Sequence, residues 1–440
     1  MLCRALPLVA CVAIASTARS AADALPSDWI DPRTGHRVIR LSPDSGAGSL
    51  YFHQRGYTPE GDRIVLRSRE GILAVDLSTL GRSAPRAELV LAGAAPIATA
   101  WRTREAYFFD REANTLRAVH LDTKVVREVV KLPPLARGTQ FALNCDETLL
   151  VAIGPDPDGV AVPRTAPPGG MGGTLEAQWA AGTPKRIYTI NVRTGEMRVL
   201  HRENDWTNHL QCSPTDPQQI LFCHEGPWHF VNRTWTLRAD GGPPRALHQR
   251  TMNMEIWGHE FFSHDGKTVW FDLQTPRSTV FWLAGVELAT GRRTWYHLKR
   301  EEWSVHYNIS PDGKLFAGDG GGPGSVAARS PDGEILNPPG NGMWIYLFRP
   351  VMVRGNSFRD GGPLIDIGEF RSERLVDMSR HDYSKDRGVE PNLTFTPDGK
   401  WIIFSGNFHS PRDERGRAVT HTYAVELARR RDPAASSPTP

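Results

Sequence analysis

Cysteine is scarce in this chain, five among 440 residues, and two of the five, Cys3 and Cys11, stand near its start. The other three, Cys145, Cys212 and Cys223, are odd in number and follow no metal-ligand spacing, which argues against a disulfide-stapled scaffold and a cysteine zinc site. A single Cys212–Cys223 bridge stays open, with buried thiols on neighbouring strands as the ordinary alternative. An excess of one charge is also missing. Lysine and arginine number 52 against 49 aspartates and glutamates, and the two signs are interspersed, so no basic face for nucleic acid emerges. Beyond residue 20 no apolar run approaches the ~18 residues that a membrane-spanning helix needs. There is no Gly-x-Ser-x-Gly elbow, no Gly-rich phosphate loop and no His-x-x-x-His pair, which removes the usual signals of serine hydrolases, P-loop enzymes and helical zinc sites. Helical periodicity is nearly absent.

What is present begins with residues 1–20, where a basic Arg4, an apolar run over 5–15 and a small-residue exit at Ala18-Arg19-Ser20 read as a secretory signal peptide. The chain is therefore expected in the periplasm or outside the cell, with Leu8-Val9-Ala10-Cys11 as an alternative lipoprotein box. Residues 429–440, basic and then rich in Ala, Ser and Pro, read as a disordered tail. Between them, over 21–428, one phrase recurs: an apolar stretch, a Ser/Thr-Pro-Asp-Gly turn, a second apolar stretch, then a strand ending near a Thr-Gly turn. The turn starts at Thr58, Ser213, Ser263, Ser310 and Thr396, with weaker copies near Arg102 and at Asn144, seven in all. Proline presets the turn and glycine accepts its left-handed position. A period of roughly 40–50 residues holding about four strands is that of a β-propeller blade. The reading is an all-β, seven-bladed β-propeller. Two Gly/Pro-rich stretches, 154–184 and 318–341, read as inserted loops, and Ser330-Pro331-Asp332-Gly333 in the second as a loop turn and not an eighth blade.

One stretch, 222–262, sets His224, Glu225, Arg233, His259 and Glu260 among tryptophans and phenylalanines. Any one of these histidines suits a hydrogen-bonded core, but the cluster suits a pocket in which apolar walls strengthen polar contacts and shift pKa values. The strand before each turn should line the central channel. His53, His209, His259 and His306 each fall a few residues before their turns, so four blades aim an imidazole at one axis. With Glu390 in the last inner strand, such a set suits either a divalent metal or a polar ligand.

The run Phe222-Cys223-His224-Glu225-Gly226-Pro227-Trp228 is followed by Arg233 and a Trp-x-Leu strand, then His259-Glu260-Phe261 26 residues beyond that arginine. Trp303-Ser304-x-His306 and a closing Pro391-x-x-x-Phe395-Thr396-Pro397-Asp398 come after. On these residues the chain resembles the oligogalacturonate lyases, family 22 of the polysaccharide lyases, over about 31–427. The resemblance implies a seven-bladed propeller that cleaves short pectic uronides by β-elimination with a divalent cation, usually manganese, on its axis. It implies His259 as general base, Arg233 beside the substrate carboxylate and His306 as a metal ligand. The family's last inner strand carries Gln-x-x-His-x-His-Pro, where this chain has Arg387, Glu390 and Asn392. The implied ligand set is thus His306, Glu390 and Asn392, oxygen-rich and suited to manganese, with calcium or magnesium as alternatives. His381 would be a further nitrogen donor if it folds back.

The residue types make sense for that chemistry. Removing the C5 proton beside a carboxylate requires the carboxylate to be neutralised, which suits a metal and an arginine. A neutral histidine, with an ordinary pKa of about 6.5, is an apt base. His53, Gln54, Arg55, His209, Gln211, His224 and Glu225 are expected to orient an acidic oligosaccharide. The alternative is a non-catalytic TolB-like propeller in which the same repeats serve binding or scaffolding.

Overall fold

The computed structural model describes residues 26–429 apart from 84, 86, 133–139, 166–173, 277, 330–333, 335–341, 354–363, 384–388, 408–415 and 417. The repeated phrase folds as seven antiparallel blades around a channel. In the fourth blade, for example, Trp206–Cys212, Gln219–Glu225, Thr234–Arg238 and Arg245–Ala246 pair in that order from the axis outward. The middle strands bury both faces between neighbouring blades and so read as continuous runs: Gln219–Glu225 is buried from its second residue to its last. The turns after the inner strands are held by their own side chains. Ser310 Oγ donates to Asp312 at 2.7 Å, Thr396 Oγ1 donates to Asp398 at 2.6 Å, and Gly313 and Gly399 take φ values of 71° and 68°.

Three departures from regular blades position the site. In the first blade the innermost segment keeps only the isolated bridges Gly48↔Arg67 and Tyr57↔Ile64, so the chain between them leaves the ladder and carries Tyr51, His53 and Gln54 into the channel. Blades five and six are joined at their outer edges, where Arg293–Leu298 runs parallel to Ile365–Asp377. The seventh blade is completed from the other end of the chain: Thr394–Phe395, Trp401–Gly406 and His421–Arg429 are followed outward by His36–Arg40 and Asp28–Ile30. Val38, Ile39, Ile402, Ile403, Ala424 and Val425 are all 0% exposed across that junction.

The insertion after Leu149–Pro155 contains an α-helix, Thr174–Ala180, where the sequence reading had expected only loop. Its Trp179 lies over Gly226, where an added Cβ would stand 2.9 Å from the indole and φ is +137°, so the insertion is seated on the 222–230 stretch. Cys145, Cys212 and Cys223 are free. Residues 1–20, the tail beyond Arg429, the Ser330–Gly333 turn and Arg387 lie outside the described residues.

Because Ile39 seals the ring from the N-terminal side, Ile39→Ala should destabilise the whole propeller by about 2–5 kcal/mol in one cooperative denaturant transition followed by tryptophan fluorescence. A strand that peels away alone would instead leave the main transition unmoved.

Candidate active site

Four blades deliver imidazoles to one end of the channel. The ring centroids of His53 and His209 are 5.9 Å apart, those of His209 and His259 5.7 Å, and those of His259 and His306 4.7 Å. Tyr51 stands edge-on to three of them, 5.0 Å from His53, 5.6 Å from His209 and 5.2 Å from His306. Beside this group opens a cavity of about 460 Å³ lined by Tyr51, His53, Gln54, Gln140, Asn208 and His209.

Local backbone geometry explains the convergence. His209 and His259 have φ values of 50° and 45°, a left-handed conformation that costs a non-glycine residue roughly 1–2 kcal/mol. Each sits where its inner strand slips register against the next, between Asn208 and Gln211 and between Gly258 and Phe261. A bulge of this kind turns consecutive side chains out of simple alternation. In consequence His259 and Glu260 both reach His209, the carboxylate at 3.4 Å from Nδ1.

Behind the imidazoles lies a buried charge cluster. Arg233, 1% exposed, donates from Nη1 to Glu225 Oε1 at 2.9 Å, from Nη2 to Glu225 Oε2 at 3.3 Å and from Nε to Glu260 Oε2 at 3.2 Å. Its Nη2 is also 3.3 Å from His209 Nδ1. Glu225 further accepts from Trp228 Nε1 and Asn208 Nδ2, each at 3.0 Å. Burial alone would raise Glu260, yet Arg233 and then His209 hold it down at about 2. Burial pushes His259 well below its ordinary value, and His306, His209 and Arg233 add to that, so it is neutral near pH 7. His53 is pushed down to about 3 by burial and then by His209. His306 moves the other way: burial opposes, but Asp319, 2.7 Å from its Nδ1, raises it.

That Asp319 contact turns His306 Nε2 toward the axis, 3.6 Å from Glu390 Oε2 and 3.3 Å from the Tyr51 hydroxyl. A histidine oriented by a carboxylate on its far nitrogen, facing a second carboxylate, fits a divalent cation. Asn392, with φ 52°, accepts the Phe52 N–H at Oδ1, 3.3 Å, and donates to the Glu390 carbonyl, which leaves its oxygen one lone pair. His381 does not fold back as a ligand: Nε2 binds the Val389 carbonyl at 2.7 Å and Nδ1 faces the Asn407 N–H. Two other donor groups lie close together, His209 with Cys223 and Glu225, and Glu203 with Asp205 and His224. In the first, the Arg233 guanidinium already supplies the cation.

The remaining expected sugar-binding residues divide. Gln54 lines the imidazole cavity and accepts the Tyr51 N–H at 3.2 Å. Gln211 lies behind the cluster and donates to the Glu260 carbonyl at 2.7 Å. His224 faces away from the four imidazoles, 2.8 Å from Glu203, beside Trp235. Arg55 belongs to the opposite mouth, where it stacks over Trp101 and donates to the Tyr57 and Thr58 carbonyls. That mouth is a second cavity of about 460 Å³ lined by the turn prolines Pro59, Pro214, Pro311 and Pro397. A third, of about 650 Å³ at the rim beside Arg371 and Arg374, holds none of the axial residues. Tyr51 and Asp319 were not singled out as site residues from sequence, whereas Glu260 was read with His259 in the pocket cluster but given no role of its own.

Together, the fold and the site define a seven-bladed propeller with an ionisable, aromatic-walled pocket on its axis. The sequence profile described as Oligogalacturonate lyase matches residues 27–413, and the chain belongs to the oligogalacturonate lyase family. An oligogalacturonate lyase of Dickeya dadantii is 27% identical over 224 residues, 50% of this chain and 52% of that one. An oligogalacturonide lyase of Pectobacterium atrosepticum is 25% identical over the same shares, so the chain spans about half the length of these relatives. Two solved structures share the fold over 91% of this chain and 96% of theirs: an oligogalacturonate lyase in complex with manganese, TM-score 0.66 at 22% identity, and one from Vibrio parahaemolyticus, TM-score 0.67 at 18%. Among the described residues no helix is long and apolar enough to cross a membrane.

Two outcomes follow from the charge cluster. Arg233→Met leaves two buried carboxylates uncompensated and should cost about 3–5 kcal/mol in urea unfolding. The pH dependence has a definite sign. Below the ordinary histidine value of 6.5 the unfolded chain takes up protons that native His53 and His259 refuse, so stability should fall as pH drops from 6.5. Glu203 and Glu260, both held at about 2 against an ordinary 4.5, add a steeper loss below 4.5. Urea midpoints at a series of pH values check both, with His53→Asn flattening the upper segment.

Proposed function

We propose that the chain cleaves oligogalacturonate, or a related uronic-acid oligosaccharide, by β-elimination to a 4,5-unsaturated product. The observation that supports this most is His259, a half-buried imidazole on the channel axis kept neutral by burial and by the His306 and Arg233 charges. A neutral imidazole in a dry, cationic surrounding takes up a proton where the substrate turns anionic, because the same positive field that discourages resting protonation stabilises the developing carbanion. Arg233 sits too deep to grip the sugar and supplies that field from behind His209. Tyr51, His53 and Gln54 line the cavity where the sugar would lie, with Asn208 and Gln140 offering carboxamides for its hydroxyls.

His306 and Glu390 are the residues that would hold a divalent cation, with the spare lone pair of Asn392 beside them. Manganese is the proposed ion, with calcium or magnesium as alternatives. When bound, such an ion supplies Lewis-acid charge for the substrate carboxylate. The proposed place of action is the periplasm or outside the cell, on the composition of residues 1–20 alone.

The test is the ultraviolet absorbance of the unsaturated product from trigalacturonate. Native chain should form it, and His259→Ala should lower kcat by about 10²–10⁴-fold. Chelation should abolish turnover and added manganese restore it. A native chain that leaves every uronide intact contradicts the proposal and returns the fold to a binding role.

A further inference from the structure

The smallest uronide with a bond to break carries two carboxylates, one on each sugar. The axial residues answer one of them: His306 and Glu390 are placed for a cation that would face the carboxylate of the reacting sugar. Arg233, 1% exposed and paired to Glu225 and Glu260, cannot reach out to the other.

The imidazole cavity holds a second guanidinium. Arg67 lines it together with Tyr51, His53 and His209, and among the described residues no carboxylate does. Arg67 ends the strand Arg63–Arg67 of the first blade. Its backbone exchanges both hydrogen bonds with Gly48, each at 2.9 Å, just before the innermost segment leaves the ladder for Tyr51. The side chain crosses to the second blade, where Nη2 donates to the Pro96 carbonyl at 3.0 Å. Pro96 opens the inner strand Pro96–Thr99, and inner strands start at the mouth away from the turn prolines, so the guanidinium stands at the imidazole end of the channel.

There it is held but not neutralised. Among the described residues the Pro96 carbonyl is the one partner of its side chain, and no carboxylate pairs with it. Most surface arginines of this chain behave otherwise: Arg63, Arg104, Arg127, Arg202 and Arg238 all pair with carboxylates. A planar guanidinium tethered by one nitrogen, with donors left open toward a cavity, is suited to an incoming carboxylate. Tyr51 connects it to the reacting end, since the same ring walls the cavity and its hydroxyl is 3.3 Å from His306 Nε2. The wall between them is polar but uncharged where it is made of Gln54, Gln140 and Asn208.

We propose that Arg67 binds the carboxylate of the neighbouring uronate, across the bond to be broken, and so selects two consecutive acidic sugars. This rests on the lyase reading above. The cation at His306 and Glu390 would take one carboxylate and Arg67 the other, which leaves a neutral or esterified neighbour without its partner.

Calorimetry on His259→Ala protein with manganese present reads binding apart from turnover. Adding Arg67→Gln should weaken digalacturonate by about 10–100-fold. On the disaccharide whose departing sugar is neutral galactose, the same change should alter affinity by less than about threefold. Arg67→Lys, which keeps the charge without the planar fork, should recover part of the affinity for digalacturonate alone, and it carries the comparison should Arg67→Gln fail to fold. Equal losses on the two disaccharides, or no loss on digalacturonate, overturn the proposal. Should the difference hold while the native chain forms no unsaturated product, the lyase reading fails and Arg67 remains a uronate-binding residue. A protein that binds neither disaccharide overturns both.

Discussion

A guanidinium that water cannot reach governs this structure. Arg233 is drawn into the wall between the fourth and fifth blades, and its charge has to be met by protein because the surrounding medium no longer screens it. Glu225 comes from the second strand of one blade and Glu260 from the first strand of the next, so the ion pairs fix how those blades sit against each other. Gln211 ties the same junction by donating to the Glu260 carbonyl. The field of the cluster then bears on the imidazole of His259 in front of it. His259 faces the guanidinium's charge and stays neutral, whereas His209 faces the carboxylates.

Backbone strain makes that placement possible. A regular inner strand would show alternate residues to the channel, one histidine per blade and nothing adjacent. By taking left-handed conformations at His209 and His259 the chain breaks alternation at the same phase in two blades, and in a third Asn392 takes one just before the inner strand, four residues before the turn each time. His306 holds that phase in a fourth blade without the left-handed backbone. The strain persists because the turns, the neighbouring blades and the ring closure by His36–Arg40 over-determine it. A motif that repeats for architecture thereby becomes a ring of differently tuned groups.

Much of this was legible in the sequence. Seven turn phrases marked seven blades, and His53, His209, His259 and His306, each four or five residues before its turn, pointed to one axis. What was not legible had physical causes. Period-two reasoning cannot see a bulge, so the side-by-side entry of His259 and Glu260 into the site had no signal in the sequence. Tyr51 enters the pocket because its segment leaves the ladder, and Asp319 acts on His306 only through the fold. His224 and Arg55 carry promising side chains, but one turns to Glu203 and the other reaches the far mouth. The helix Thr174–Ala180 is short, and its stability comes from Trp179 lying on the 222–230 stretch more than from its own periodicity.

The central claim is elimination in this axial pocket, and the masses of the products test it most directly. Trigalacturonate treated with the native chain and manganese should give fragments whose masses sum to that of the substrate, one of them unsaturated. Fragments that together gain one water would mean hydrolysis, and an unchanged substrate would mean binding alone. Either result would contradict the account.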